Sequence, residues 1–265
     1  MIRMTLSLII PVFTGWLAGL IVNYLADVLP RTRTFSRPLC QRCSHVYGVL
    51  DYILLRPCIN GHHRSIRTWV TLLLCTLASI YSWMSPPEKI GYALGLILTV
   101  YFGVVFVIDL EHRLILHPTS LFGALLGLTV GILAHGIKPT LLGGVSGLAI
   151  MLAFYYFGVL FTRFRTKRLI ASGMEPDDEE ALGAGDVILV AILGLILGWP
   201  LIWFGLVLGI LLGGMISLLI VLWLVVSRRY GKNALMMFIP YGPYFIGSAY
   251  LIVFLPKWVS ALVPG

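Results

Sequence analysis

The chain has 265 residues, 59% of them hydrophobic and 11% charged, with a formal net charge of +8. No polar tract is long enough to fold as a soluble domain of ordinary size, so the composition excludes that class and sets the fold as an all-α polytopic membrane protein. In so apolar a chain the positions of Lys and Arg matter more than their sum, and they are read as topology; no nucleic-acid partner is expected.

Apolar runs of spanning length fall at about 5–29, 69–84, 90–110, 119–136, 140–162, 186–199, 201–226 and 235–256, which predicts about eight transmembrane helices in a lipid bilayer, the second and sixth being short. Residues 1–30 form the first span, 31–68 a Cys/His loop and 69–265 the helical membrane core. If the loops 30–68, 111–118, 163–185 and 227–234 share one side, they hold 15 of the 19 basic residues. The positive-inside rule then puts these loops in the cytoplasm and both termini outside. With Arg3 ahead of it and a far more basic flank after it, the first span reads as an uncleaved, reverse-oriented signal anchor.

In the first span Gly15 and Gly19 give a G-x-x-x-G face for close helix contact. Asn23 and Asp27 lie four apart on one face; they either end among headgroups or face an internal groove. The loop that follows contains Cys40-Gln-Arg-Cys43 and, after LDYILLRP, Cys58-Ile-Asn-Gly-His62-His63. Those residue types at that spacing suit a tetrahedral zinc site of Cys40, Cys43, Cys58 and one histidine, His62 being preferred over His63 or His45. Unliganded or redox-active thiols are the other reading; a stable disulfide is not expected in a reducing cytoplasm. Cys75, inside an apolar run, is read as packing.

The third run, YALGLILTVYFGVVFVID, ends on Asp109. Tyr92 to Asp109 is 17 residues, or about 26 Å of helix, against a hydrocarbon core of about 30 Å, which leaves the carboxylate at the membrane edge. Within the short return EHRLILHP, Pro118 is expected at the start of the next helix, and His112 and His117 are read as headgroup or hydrogen-bonding residues. Gly143, Gly144 and Gly147 form a small-residue packing surface, and the acidic run from Glu175 to Glu180 reads as a solvated loop.

Gly183-Ala184-Gly185-Asp186 opens the run VILVAILGLILGW. Asp186 is a lone ionisable group at the head of this membrane helix. An acid there costs about 2.5 to 3.5 kcal/mol on insertion scales, so it is read as functional. Asp109 is the second acid at the same edge, and two such carboxylates sharing a proton can activate water for peptide hydrolysis. Gly183 and Gly185 permit either a left-handed turn or close approach of an extended peptide to Asp186. Pro240-Tyr-Gly242-Pro243 should break or kink the last span, as a peptide-binding edge or as a simple kink.

These motifs together resemble the type IV prepilin leader peptidases. GLIVNYLADVLP at 19–30 is similar to that family's amino-terminal signature, and Cys40-x-x-Cys43-Ser-His45 to the start of its cysteine loop. FVIDLEHRLI at 106–115 and GAGD at 183–186 are similar to its two catalytic motifs, and IPYGPYFIG at 239–247 to its final-helix motif. The resemblance implies that Asp109 and Asp186 are catalytic. It also implies that the substrates are prepilins or type II secretion pseudopilins, cut after a Gly on the cytoplasmic side of the inner membrane. In many members S-adenosylmethionine then methylates the new amino terminus. Two positions depart from the family pattern: His117-Pro118 stands where Pro-Asp is usual, and the fourth cysteine is absent. A presenilin-like protease would share the G-x-G-D logic but lacks a place for the cysteine loop; a proton-coupled transporter would use the paired acids but not the metal-type loop.

Overall fold

The computed structural model describes residues 2–40, 42–171, 183–227 and 240–257. Among these residues the secondary structure is helical: α1 (Ile2–Thr32), α2 (Val49–Ile53), α3 (Ile66–Met84), α4 (Gly91–His112), α5 (His117–His135), α6 (Ile137–Ala171), α7 (Ala184–Leu197), α8 (Leu201–Val226) and α9 (Gly242–Phe254). The one extended pairing among them is an isolated bridge between Leu39 and Val46. The acidic run Glu175–Glu180, nearly all of the loop 227–234 and the first residues of the last apolar run lie outside the described residues.

Among the described residues five helices are long and apolar enough to cross a membrane: Leu8–Thr32, Gly91–His112, His117–His135, Ile137–Phe164 and Leu201–Val226. Their outward faces are apolar, as on α8, where Leu211, Leu218 and Trp223 are all exposed. Surfaces of that kind face hydrocarbon, and the chain is a multi-pass membrane protein. α7 and α9 are apolar but shorter. α2, inside the Cys/His loop, and the continuation of α6 to Ala171 through RFRTKR extend beyond the apolar runs. Arg and Lys are good helix formers, so the helical period outlasts the hydrophobic one.

The chain forms two compact units, 1–121 with 253–265, and 122–252. In the first, α1 packs on α3 and α4. α3 turns its small and polar side inward: Thr68, Thr71, Leu72, Cys75, Ser79 and Ser82 are buried, while Trp69, Leu73 and Leu77 are exposed. The reason is the opposing Gly15 and Gly19. A Cβ on Gly15 would lie 2.7 Å from both Ser79 Cβ and Thr76 Cα, and one on Gly19 2.9 Å from Leu72 Cα. Close backbone approach lets buried hydroxyls find partners; Ser79 donates to the Pro11 carbonyl at 2.7 Å. Cys75 joins Ala18, Val22, Ala26, Val104, Ile108 and Leu116 in the core of this unit, a packing role as expected.

In the second unit α6 lies along α7, with α8 against both. Gly143 and Gly194 face each other so closely that a Cβ on Gly143 would sit 2.3 Å from the Gly194 carbonyl oxygen. Gly144 and Gly147 continue the seam against Leu195 and the Val190 carbonyl. α9 packs on α8 in the same manner: a Cβ on Gly209 would lie 2.5 Å from Phe245, and Ser248 donates across to the Gly205 carbonyl at 2.8 Å.

The break expected at Pro240 to Pro243 falls where α9 begins. α9 begins at Gly242, so Pro243 stands in its first turn, where a missing N–H breaks no helical bond. Pro118 likewise falls in the first turn of α5.

The α6–α7 seam gives a direct test. Gly143→Leu must push two backbones apart and should destabilise the protein by about 3 kcal/mol or more. Gly214→Leu, at a site open to 4 Å, should unfold in detergent at the temperature of the parent.

Candidate functional site

The Cys/His loop is folded by its backbone first. Leu39 pairs with Val46, the Cys40 N–H donates to the His45 carbonyl at 2.8 Å, and the Ser44 N–H to the Cys40 carbonyl at 2.9 Å, which makes a tight turn that points Cys40 and Cys43 the same way. A second turn has related bonding: the Cys58 N–H donates to the His62 carbonyl at 3.0 Å and the Gly61 N–H to the Cys58 carbonyl at 2.7 Å. Gly61 has φ +76°, a left-handed conformation that glycine takes without strain, and this brings His62 round to serve where a second C-x-x-C would have its last cysteine.

The two turns face each other. One ligand atom from each of Cys40, Cys43, Cys58 and His62 lies within 4.8 Å of all the others; Cys43 and Cys58 sulfurs are 3.4 Å apart, and Cys40 Sγ is 3.9 Å from His62 Nδ1. Two thiolates on one tetrahedral zinc, each bonded at about 2.3 Å, stand roughly 3.8 Å apart, so the donor set fits a metal such as zinc with little rearrangement. The expected ligand quartet is therefore brought together, with His62 as its histidine.

Charge within the group points the same way. Burial opposes ionisation of Cys40, but N–H groups of Arg42 and Cys43, with the Cys43 thiol and the Tyr47 hydroxyl, outweigh it and lower the thiol to about 6. Cys58 goes the other way: the Asn60 N–H favours its thiolate, yet burial, the neighbouring thiols and the charge on Cys40 together raise it. One thiolate thus disfavours the next, and a cation bound between them removes the conflict.

The loop also has a core of its own, which its composition did not suggest. Tyr47 and Tyr52 are buried with Cys40 and Cys58. Arg64 lies over both rings, its guanidinium carbon 3.9 Å from the centre of Tyr47 and 4.4 Å from that of Tyr52. Burial and the hydrogen bond to Cys40 push the Tyr47 hydroxyl up to about 12.

Asn23 and Asp27 are not headgroup residues. Asn23 is buried and donates to the Gly19 and Thr68 carbonyls. Asp27 accepts from the Tyr52 hydroxyl at 2.7 Å and from Arg67 Nη2 at 2.5 Å. Arg67 then reaches Glu111 through Nη1 at 2.8 Å. Sequence reading missed this chain of contacts; its signal was an acid near the end of α1 and a base at the start of α3, at the same membrane edge.

Asp109 is 4% exposed and lies in the last turn of α4, whose C-cap is Arg113. His112 and His117 are exposed. In the second unit Asp186 is half-buried, in the first turn of α7, where the dipole of the helix favours a carboxylate. The Asp186 N–H donates to the Gly183 carbonyl at 3.0 Å, which closes the first turn of the helix. Gly183 has φ −75° and Gly185 is within α7, so neither makes the left-handed turn. Glycine at 183 leaves the carboxylate uncovered, since a Cβ there would stand 3.6 Å from Asp186 Oδ2. At the start of α9 Pro240 is half-buried, and Gly242 and Pro243 are buried.

The chain is thus a helical membrane protein with an acid in the last turn of one helix, another in the first turn of a second, and a Cys₃His group on the loop after α1. Residues 96–218 match the profile of the type IV leader peptidase family. The matched stretch includes both FVIDLEHRLI and GAGD; the Cys/His loop and Pro240 to Pro243 lie outside it. A search of curated proteins and one of solved structures each found no match.

The purified protein should carry one divalent metal per chain by elemental analysis, with Cys43→Ser and His62→Ala each lowering the content at least tenfold. Cys75→Ser, within the helical core, should leave it unchanged. A parent protein without stoichiometric metal would remove the site.

Proposed function

We propose that this protein is an aspartyl endopeptidase of the inner membrane that removes the leader of type IV prepilins or type II secretion pseudopilins on the cytoplasmic side, with Asp109 and Asp186 as the catalytic carboxylates. The observation that carries the proposal is the family match across 96–218, because that stretch includes both aspartates in the motifs the resemblance rests on. The charge asymmetry of the loops supports the cytoplasmic orientation.

Roles follow from where each acid stands. Asp186 is half-buried at a helix start, which stabilises negative charge; Asp109 is buried in a last turn, which does not. We assign Asp186 as the carboxylate that takes a proton from the attacking water, and Asp109 as the protonated partner that hydrogen-bonds the scissile carbonyl. Breakdown of the tetrahedral species returns a proton to the leaving nitrogen. Gly183 and Gly185 would let an extended peptide lie against Asp186, and Pro240, Gly242 and Pro243 would line the edge it rests on.

We further propose that the metal held by Cys40, Cys43, Cys58 and His62 is zinc and that it is structural. Three thiolates and an imidazole complete a tetrahedral shell, which leaves no position for a nucleophilic water. Zinc would supply folding energy to the loop and take no part in hydrolysis. N-methylation with S-adenosylmethionine is carried by the resemblance alone.

Incubation of the purified protein with a prepilin should release the leader as a mass loss, separating a peptidase from a proton-coupled transporter. Asp109→Asn and Asp186→Asn should each lower the rate by at least about 100-fold while the protein stays folded in detergent. Substantial cleavage by either variant would overturn the assignment.

A further inference from the structure

We infer that Arg67 is a positioning residue for Asp109: by holding Glu111 it fixes the last turn of α4, and through Asp27 and Tyr52 it ties that turn to the Cys/His loop. The inference rests on the reading of Asp109 as catalytic.

The end of α4 gains from a cation placed on its acids. Its last turn carries Asp109 and Glu111 beside His112, with Arg113 as the cap, at the helix terminus where the dipole concentrates negative charge. Its cap is poor as well. Arg113 closes the helix with φ +53°, its N–H bonded to the Asp109 carbonyl at 2.9 Å, a left-handed conformation that is strained for a residue other than glycine. A terminus with these features frays unless something outside the helix holds it.

Arg67 is built to do so. Its guanidinium is planar and rigid, with donors in a fixed fork, so binding one carboxylate with each arm fixes the position of both. One arm takes Glu111 at 2.8 Å and the other Asp27 at 2.5 Å; the Arg67 side chain is only 15% exposed, so its pair with Asp27 is poorly screened, while Glu111, 34% exposed, meets it at the surface. Asp27, at 9% side-chain exposure, is oriented in turn by the Tyr52 hydroxyl at 2.7 Å. Tyr52 belongs to α2 and to the same small core as Cys40 and Cys58. A continuous path of direct contacts therefore runs from the core around the metal ligands to a residue two positions from Asp109.

This arrangement gives the loop an influence on hydrolysis without a catalytic metal. Disturbing the loop would loosen Tyr52, then Asp27 and Arg67, and finally the turn that aims Asp109. A misplacement of about 1 Å in a reacting group can cost on the order of 100-fold in rate.

The test is steady-state cleavage of a prepilin, combined with hydrogen exchange at residues 109–113, in the full-length protein. Glu111→Gln keeps the size of the side chain and the Arg67–Asp27 pair, so it should fold; it should lower kcat about tenfold, leave KM within about twofold and speed exchange in the last turn of α4. Arg67→Met should lower kcat further, and Arg67→Lys should recover part of the loss. Tyr52→Phe should lower kcat a few-fold in the parent but have no added effect in the Arg67→Met background, because the path is already cut. Parental kcat and exchange in Glu111→Gln, or equal losses from Arg67→Lys and Arg67→Met, would overturn the inference. If Asp109→Asn itself keeps activity, the catalytic reading fails first; if it is inactive while the Arg67 and Glu111 variants match the parent, only the inference fails.

Discussion

Backbone contact at glycine sets the architecture of both units. Helices in a bilayer gain little from hiding apolar surface from one another, since lipid tails are equally apolar, so they associate where small residues allow dispersion contacts and hydrogen bonds at short range. Gly143 against Gly194, and Gly15 and Gly19 against α3, are such places, with no room for a single added carbon. The rest follows from that closeness. α3 must be small on its inner face, which is why it buries Ser79, Ser82 and Thr71 and exposes Leu73 and Leu77.

The same solvent explains where the charges stand. Among the described residues the acids of the membrane core are few, and each occupies a helix end. Asp27 and Glu111 are taken up by Arg67, which makes them structural. Asp186 is different in kind: it opens an otherwise uncharged helix, half-exposed, next to a glycine that leaves its oxygens uncovered. A buried ion pair is weak support for stability, because desolvation offsets most of the attraction, but losing one partner leaves an uncompensated charge and is costly. Arg67 therefore specifies an arrangement more than it strengthens one.

How much of this was legible in the sequence depends on whether the cause is local. Long apolar runs, glycines at helical spacing, Pro118 at a helix start and the Cys spacing all act within a few residues, and where they fall on described residues the structure has helices on the runs, close backbone contact at the glycines, Pro118 in a first turn and the cysteines grouped. The choice of His62 over His63 turns on Gly61, whose left-handed turn reverses the chain after Cys58 and brings the next residue into the ligand group. What was not legible is what depends on distant partners. Arg67 and Glu111 lie 44 positions apart, and nothing around either one names the other. Helix α2 was hidden because five residues in a basic loop carry no period.

The loop after α1 combines these points. The segment is basic, yet one of its basic residues, Arg64, is part of its core, stacked on Tyr47 and Tyr52 with favourable cation–π geometry. Aromatic rings on a guanidinium still make a small core, and the sulfur atoms beside it are held close enough that one thiolate opposes the next. A metal bound there would resolve that opposition and fasten the two turns together at one point. Because Tyr52 spends its hydroxyl on Asp27, the loop so fastened is not an appendage: its core is hydrogen-bonded to α1, and through Arg67 to the end of α4.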